Sequence, residues 1–205
     1  MTTLIFVRHG ETDWNRTGRV QGSTDIPLND TGRAQARTAA VDLRAQLNGP
    51  VALVSSDLSR ARETAEIIAA ALDLDAPRLY PQLQERAYGD AEGTTDQEFT
   101  ARWGAWATAQ VPGAETREQL RRRALSGIRR VVRDVRRATA PAEASVIVVS
   151  HGGLIRELVR HATGGALPSE NTYLPNGGGY TMLYERERLR LMDAARHADF
   201  SPAVR

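Results

Sequence analysis

"LIFVRHGETDWN", residues 4–15, is the stretch from which the rest of the chain can be read. Four apolar residues, Leu4 to Val7, run straight into Arg8, His9 and Gly10. A run this short, bounded by glycine, reads as a buried strand. It ends by delivering two basic side chains to one place. A second stretch repeats the pattern: in "SVIVVSHGGLIREL", residues 145–158, an apolar strand leads into His151, then glycines, then a helical segment. Two histidines therefore lie at the carboxyl ends of two apolar strands, the edge along which open α/β sheets bind ligands.

Working outward, Val51–Val54 is a third short apolar run, and each of the three is followed by helical periodicity. That alternation predicts βα units around a largely parallel sheet covered on both faces. Asn29-Asp30 supplies capping residues for a helix running toward the stop signal Asn48-Gly49-Pro50. Helices are expected over Ser59–Leu72, over Asp96–Ala109 with Phe99, Trp103 and Trp106 at helical spacing, and over Thr116–Thr139. The last carries Leu120, Ala124, Ile128, Val131 and Val135 on one stripe with arginines opposite. After three glycines at 177–179, Tyr180–Glu185 and Arg188–Met192 read as an edge hairpin, which could pair across a homodimer. The 205 residues fit one domain, residues 1–205, with a loosely attached tail over 194–205.

Composition removes several classes of function. Hydrophobic residues at 41% support a core, and 27 basic residues against 25 acidic ones argue against disorder. All 27 are arginines, as GC-rich codon usage would produce. A formal net charge of +2 makes the pI of 9.4 a poor sign of nucleic-acid binding. The arginine-rich run from Arg121 to Arg137 reads as the solvated face of a core-packed helix. The absence of cysteine excludes disulfides, thiolate metal sites and cysteine nucleophiles. Neither a signal-peptide pattern nor a membrane-spanning apolar stretch is present, so a cytoplasmic protein is expected.

The chemistry collects around the histidines. Glycine after each one admits close backbone approach, and the helix after Gly152-Gly153 offers its N-terminus to an anion. Arg8 adds a permanent cation. "SSDLSRARET", residues 55–64, also opens a helix after a strand, and Arg60 and Arg62 cannot share a helix face, so one of them is expected to reach the site. In "LQERAYGDAEG", residues 83–93, Glu85 sits in a loop. A nearby phosphate would raise its pKa and suit it to donate a proton. Together these groups describe a phosphate pocket.

"RHGET", "SSDLSRARET", "ERAYGDAEG" and "SHGG", in that order, resemble the histidine phosphatase superfamily, the phosphoglycerate-mutase-like proteins, over about residues 4–185. The resemblance implies a three-layer α/β/α sandwich with a mostly parallel central sheet and a covalent phosphohistidine mechanism. It makes His9 the nucleophile and Glu85 the proton donor. Arg8, Arg60 and His151 would surround the phosphoryl oxygens, with Asn15 and Gly152 as further substrate contacts. The substrate would be a small phosphorylated molecule, and the design requires neither cofactor nor metal. His161 and His197 lie outside the motifs, and there is no HExxH or P-loop signature.

The superfamily includes mutases and phosphatases. Mutases carry asparagine where this chain has Gly153, and a long basic insertion where residues 94–114 contain only Arg102 among basic types. "VPGAETREQL", residues 111–120, resembles a Pro-Gly-Gly-Glu-Ser segment of broad-specificity phosphatases, with Ala114 and Thr116 as departures. A phosphomonoester hydrolase is therefore expected, with a bisphosphoglycerate-dependent phosphoglycerate mutase as the alternative and a non-catalytic phospho-ligand-binding protein as a third. Tyr88, Phe99, Trp103 and Trp106 are candidates to cap the pocket, or else pack a lid.

Overall fold

The computed structural model describes residues 1–106, 108–168 and 173–194. Six strands form one sheet in the order β3-β2-β4-β1-β5-β6. β1 (Thr2–Arg8), β4 (Ser145–Ser150), β2 (Val51–Ser55) and β3 (Arg78–Leu79) pair in parallel, while β5 (Gly179–Glu185) is antiparallel to β1 and β6 (Arg188–Ala194) to β5. The expected mostly parallel sheet and its antiparallel hairpin are both present. β6 is the outer strand of the sheet among the described residues. β3 has two exposed residues and no pattern that the sequence could announce.

Strand alternation divides the core in two. Leu4, Phe6, Val146 and Val148 pack with α5 (Arg117–Thr139) and α6 (Gly152–Ala162). Ile5, Val7, Ile147 and Val149 face the other way, against α2 (Asp30–Arg44) and α3 (Ser59–Leu72). Each central strand is thus apolar on both faces, because both are covered by helices. This is the expected three-layer α/β/α sandwich. The stripe Leu120, Ala124, Ile128, Val131 and Val135 on α5 is wholly buried, at about 1.5–3 kcal/mol for each large side chain. Its outer face alternates charge, with Arg122 near Glu118 and Arg130 and Arg133 near Asp134. No helix among the described residues is long and apolar enough to cross a membrane.

Three boundaries differ from expectation. α2 begins as expected, with the Asn29 side chain accepting from Gly32 N–H, but ends at Arg44; Gln46 and Leu47 then turn back onto the Leu43 carbonyl. α1 (Asp13–Arg16), a single capped turn, was not anticipated. α4 stops at Trp103 (Asp96–Trp103) instead of reaching Ala109, because Gly104 takes φ +80°, a conformation that glycine permits at no steric cost. Trp106 therefore lies off the helix. It folds back so that its ring stacks on Phe99, and its indole N–H donates to Asp96 Oδ1 at 2.6 Å. The tail expected to be loose lies, beyond Ala194, outside the described residues.

Candidate active site

β1 and β4 are neighbours in parallel register, with Arg8 opposite Ser150. The next residue on each strand is a histidine, so His9 and His151 emerge side by side, ring centroids 5.1 Å apart. The backbone N–H of His9 still bonds to Ser150 O at 2.9 Å. Both rings are buried. Burial first, then the charges of Arg60 and Arg8, hold the His9 pKa well below its ordinary value. For His151, burial leads, followed by Arg60, His9 and Arg8. Both are neutral at neutral pH.

The protonation of His9 follows from geometry. Its Nδ1 lies 2.7 Å from Gly10 O, and a carbonyl can only accept, so Nδ1 carries the hydrogen. In a neutral ring the lone pair must then sit on Nε2. His9 therefore presents an unprotonated ring nitrogen, on a residue that lines the site's cavity.

The cations close around it. Arg8 donates through Nη1 to Leu174 O at 2.6 Å, and Arg60 through Nη1 and Nη2 to the carbonyls of Thr24 and Gly22. Those bonds aim both guanidinium groups and leave Nε of each buried without a partner among the described residues. Both ring nitrogens of His151 are in the same state. Buried polar atoms left unpaired cost about 1–3 kcal/mol each, and several converging at one cavity mark a site for a polar ligand. As expected, Arg60 and Arg62 part company: Arg60 is fully buried at the site, whereas Arg62 is exposed beside Glu66 at 3.7 Å.

The helix N-terminus is used differently from expectation. Gly153 and Leu154 N–H donate to Glu85 Oε2 and Oε1 at 2.8 and 2.9 Å, and Arg86 N–H adds a bond to Oε1 at 2.8 Å. The Glu85 carboxyl thus takes two of the N–H groups at the start of α6, and Gly152 lines the cavity beside it. Gly10 N–H likewise goes to Thr64 Oγ1 at 3.1 Å. The glycines after the histidines serve close packing: a Cβ on Gly10 would lie 2.2 Å from Gly32 O, and one on Gly153 would lie 2.6 Å from Glu85 Oε1.

Arg123 holds the loop that presents Glu85, a role that sequence reasoning missed. From the inner side of α5 its guanidinium donates to the carbonyls of Gln82, Gln84 and Glu85 and pairs with Glu115, Nη2 to Oε2 at 2.7 Å. Only its place among many similar arginines was visible in the sequence. Asn176, also missed, donates through Nδ2 to His9 O at 2.9 Å and Asn15 Oδ1 at 3.2 Å. Thr12 uses the same Asn15 oxygen, leaving the amide NH2 as its donor end.

The cavity has a volume of about 300 Å³. Arg8, His9, Asn15, Arg60, Glu85 and Gly152 all line it, and His151 lies buried beside His9. Of the candidate capping aromatics, Tyr88 and Trp106 are on the wall, with rings 6.0 Å apart, while Phe99 is buried behind them and Trp103 packs on Phe99. Arg19, Arg156, Tyr173 and Tyr180 also line it and carried no motif signal. Across the chain's near-loop, Gly113 takes φ +73°, whereas Ala114 does not enter the left-handed region, so the alanine departure from the Pro-Gly-Gly pattern carries no strain. Among the described residues no group of three or more histidine, aspartate or glutamate side chains could hold a metal ion.

An α/β/α sandwich with two neutral histidines at adjacent strand ends and two buried arginines beside them, Arg8 on β1 and Arg60 on α3, defines a phosphate-handling protein of the phosphoglycerate-mutase-like fold. The chain belongs to the histidine phosphatase superfamily (branch 1), whose model it matches over residues 4–195, and it is an enzyme of that class. It is 36% identical over 193 residues to the uncharacterized phosphatase PhoE of Bacillus subtilis, covering 94% of each chain. A metal-independent phosphoserine phosphatase of Arabidopsis thaliana is 33% identical over 172 residues, covering 80% of this chain and 69% of the other. Among solved structures, a mycobacterial glucosyl-3-phosphoglycerate phosphatase complexed with VO3 superposes with a TM-score of 0.77 at 31% identity, covering 93% of this chain and 96% of that one.

Proposed function

We propose that this chain hydrolyses a small phosphomonoester through a phosphohistidine on His9 Nε2. The observation that carries the reading is the Nδ1–H to Gly10 carbonyl bond, which places the lone pair on Nε2 beside two buried arginines. In the first step Nε2 attacks phosphorus as the P–O bond to the alcohol breaks, and Glu85 gives its proton to the departing oxygen. In the second, water attacks the phosphohistidine, Glu85 takes the water's proton, and inorganic phosphate leaves with His9 neutral again. Arg8, Arg60 and His151 donate to the non-bridging oxygens, with Asn15 and Gly152 alongside, because phosphoryl transfer depends chiefly on positioning and charge stabilisation. Neither step calls for a metal. Phosphorylated metabolites are charged and cross membranes poorly, so the reading places the enzyme with them in the cytoplasm.

The test is phosphate release from p-nitrophenyl phosphate and a panel of phosphorylated metabolites in EDTA, with acid-labile phosphoryl labelling in parallel. Release should persist in the chelator, and His9→Ala should lose both turnover and label. Activity restored only by a divalent ion, or a label that survives His9→Ala, would overturn the mechanism. Primer-dependent conversion of 3-phosphoglycerate to 2-phosphoglycerate without phosphate release would make the enzyme a mutase instead. Ligand binding without any turnover would leave it a phospho-ligand-binding protein.

A further inference from the structure

Glu92 stands in the same stretch of sequence as Glu85 but takes no part in the chemistry proposed above. Its half-buried carboxylate gathers donors from two loops. Oε1 accepts from Ser23 N–H at 2.9 Å, the Ser23 hydroxyl at 3.0 Å and Tyr88 N–H at 2.9 Å, and Oε2 accepts from Thr24 N–H at 2.8 Å and the Thr24 hydroxyl. Burial pushes the Glu92 pKa up, but the bonds from Thr24, Ser23 and Tyr88 outweigh it and hold the pKa below its ordinary value. Gly22 admits this close approach: it takes φ +59°, and a Cβ there would lie 2.0 Å from Glu92 Oε1.

The other side of the same turn belongs to Arg60, whose Nη2 donates to Gly22 O at 2.8 Å and Nη1 to Thr24 O at 2.9 Å. Gly22 O and Ser23 N–H are the two ends of one peptide group. In a trans peptide they point in opposite directions, so Arg60 and Glu92 grip that group from opposite sides. Cation and anion each align with the peptide dipole, and each bond strengthens the other. Burial lowers the Arg60 pKa, and Glu85, Asp25 and Glu92 are carboxylates that oppose the shift. Backbone bonds hold the flanks of the turn, from Val20 N–H to Thr94 O at 2.9 Å and from Gly93 N–H to Val20 O at 2.7 Å, and Asp25 Oδ1 accepts from Ser59 N–H at 2.8 Å. Thr24 N–H also lies 3.2 Å from Gln21 O. Between those flanks, Glu92 ties residues 22–24 across to the loop that carries Tyr88 on the cavity wall.

We propose that Glu92 is a positioning residue: it fixes the 22–24 turn, whose carbonyls aim Arg60, and so sets the Arg60 guanidinium against the phosphoryl group at His9. The inference rests on the phosphatase reading for the role of Arg60, and its test includes a measurement that needs no turnover.

The experiment is a double-mutant cycle of Glu92→Gln with Arg60→Ala, which isolates what the two residues do together. It is read as kcat/KM for p-nitrophenyl phosphate and as calorimetric affinity for inorganic vanadate. Gln keeps the shape of Glu while removing the charge and one of its two acceptor oxygens. In wild-type enzyme Glu92→Gln should lower kcat/KM about 10-fold, and vanadate affinity by a similar factor, as the guanidinium leaves its line. In the Arg60→Ala background the same change should cost less than about twofold in both readings, because no guanidinium is left to misplace. Where Arg60→Ala binds vanadate too weakly to measure, Arg60→Lys, which has no fork to span the two carbonyls, takes its place, and the cost of Glu92→Gln should again shrink. Equal factors lost in both backgrounds would make Glu92 a general support of the fold and overturn the proposal. A Glu92→Gln enzyme that matches wild type, or a wild-type protein that binds no vanadate, would overturn it too. If no phosphomonoester is hydrolysed, the phosphatase reading fails and the vanadate cycle still decides the positioning: non-additive losses uphold it, and additive losses overturn it.

Discussion

At Gly153 one hydrogen atom makes room for the Glu85 carboxyl. A Cβ there would stand 2.6 Å from Glu85 Oε1, and the group that must yield is the far end of a flexible side chain. Gly153→Ala should therefore fold with a melting temperature near wild type while kcat falls about 10- to 100-fold, since misplacing a reacting group by an ångström costs that much. Unchanged kcat would mean that Glu85 acts equally well displaced. The same scale separates Arg60 from Arg62, two residues apart on α3. Arg60→Ala removes a buried donor beside His9 and should lower turnover by about 10²–10³. Arg62→Ala removes an exposed partner of Glu66 and should stay within about twofold of wild type. Parallel steady-state assays of the two variants decide it, and equal losses would reverse the assignment.

Among elements, α5 matters beyond its apolar stripe because Arg123 connects it to the Glu85 loop. Three loop carbonyls and Glu115 converge on that single guanidinium. Arg123→Gln leaves those acceptors short of donors and Glu115 without its cation. It should cost about 2–4 kcal/mol of stability, read by urea denaturation, and lower kcat as the loop loosens. Loss of stability with kcat intact would show that the loop keeps its shape without the clamp. α4 gives the opposite lesson: an aromatic pattern that continues through Trp106 is cut at Gly104, and the tryptophan so released reaches the cavity wall.

For the whole molecule, two buried neutral histidines at the end of the central strands make stability depend on pH. Both have pKa values below the ordinary 6.5 that the unfolded chain would show. Below pH 6.5 the unfolded state therefore binds more protons than the folded one, so stability falls as pH drops from 6.5, and above 6.5 these groups contribute no slope. Each histidine adds up to about 1.4 kcal/mol per pH unit in that window. Urea midpoints measured between neutral pH and about pH 5.5 should fall, and less steeply in His151→Gln. A flat profile would mean that the rings take up protons in the folded state.

Local signals were enough for every strand except β3, for the long helices and for the catalytic candidates. Short apolar runs followed by histidine, an arginine at the right place in α3 and a glutamate in its loop are all written in consecutive residues. What the chain order alone could not supply was adjacency. β1 and β4 are separated by well over a hundred residues, yet their register brings His9 and His151 together. Arg123 and Asn176 left no local mark because their roles are defined by partners distant in sequence. Even the helix start at Gly152, legible as an anion site, needed the tertiary structure to show that the Gly153 and Leu154 N–H groups bind the Glu85 carboxyl. Backbone preference and hydrophobic periodicity act over a few residues, so the sequence by itself determined the elements and their reactive side chains. Register, burial and hydrogen-bond pairing act across the sheet, and only they decided which of those side chains meet, which ring nitrogen of His9 carries the proton and which of Arg60 and Arg62 is buried beside it.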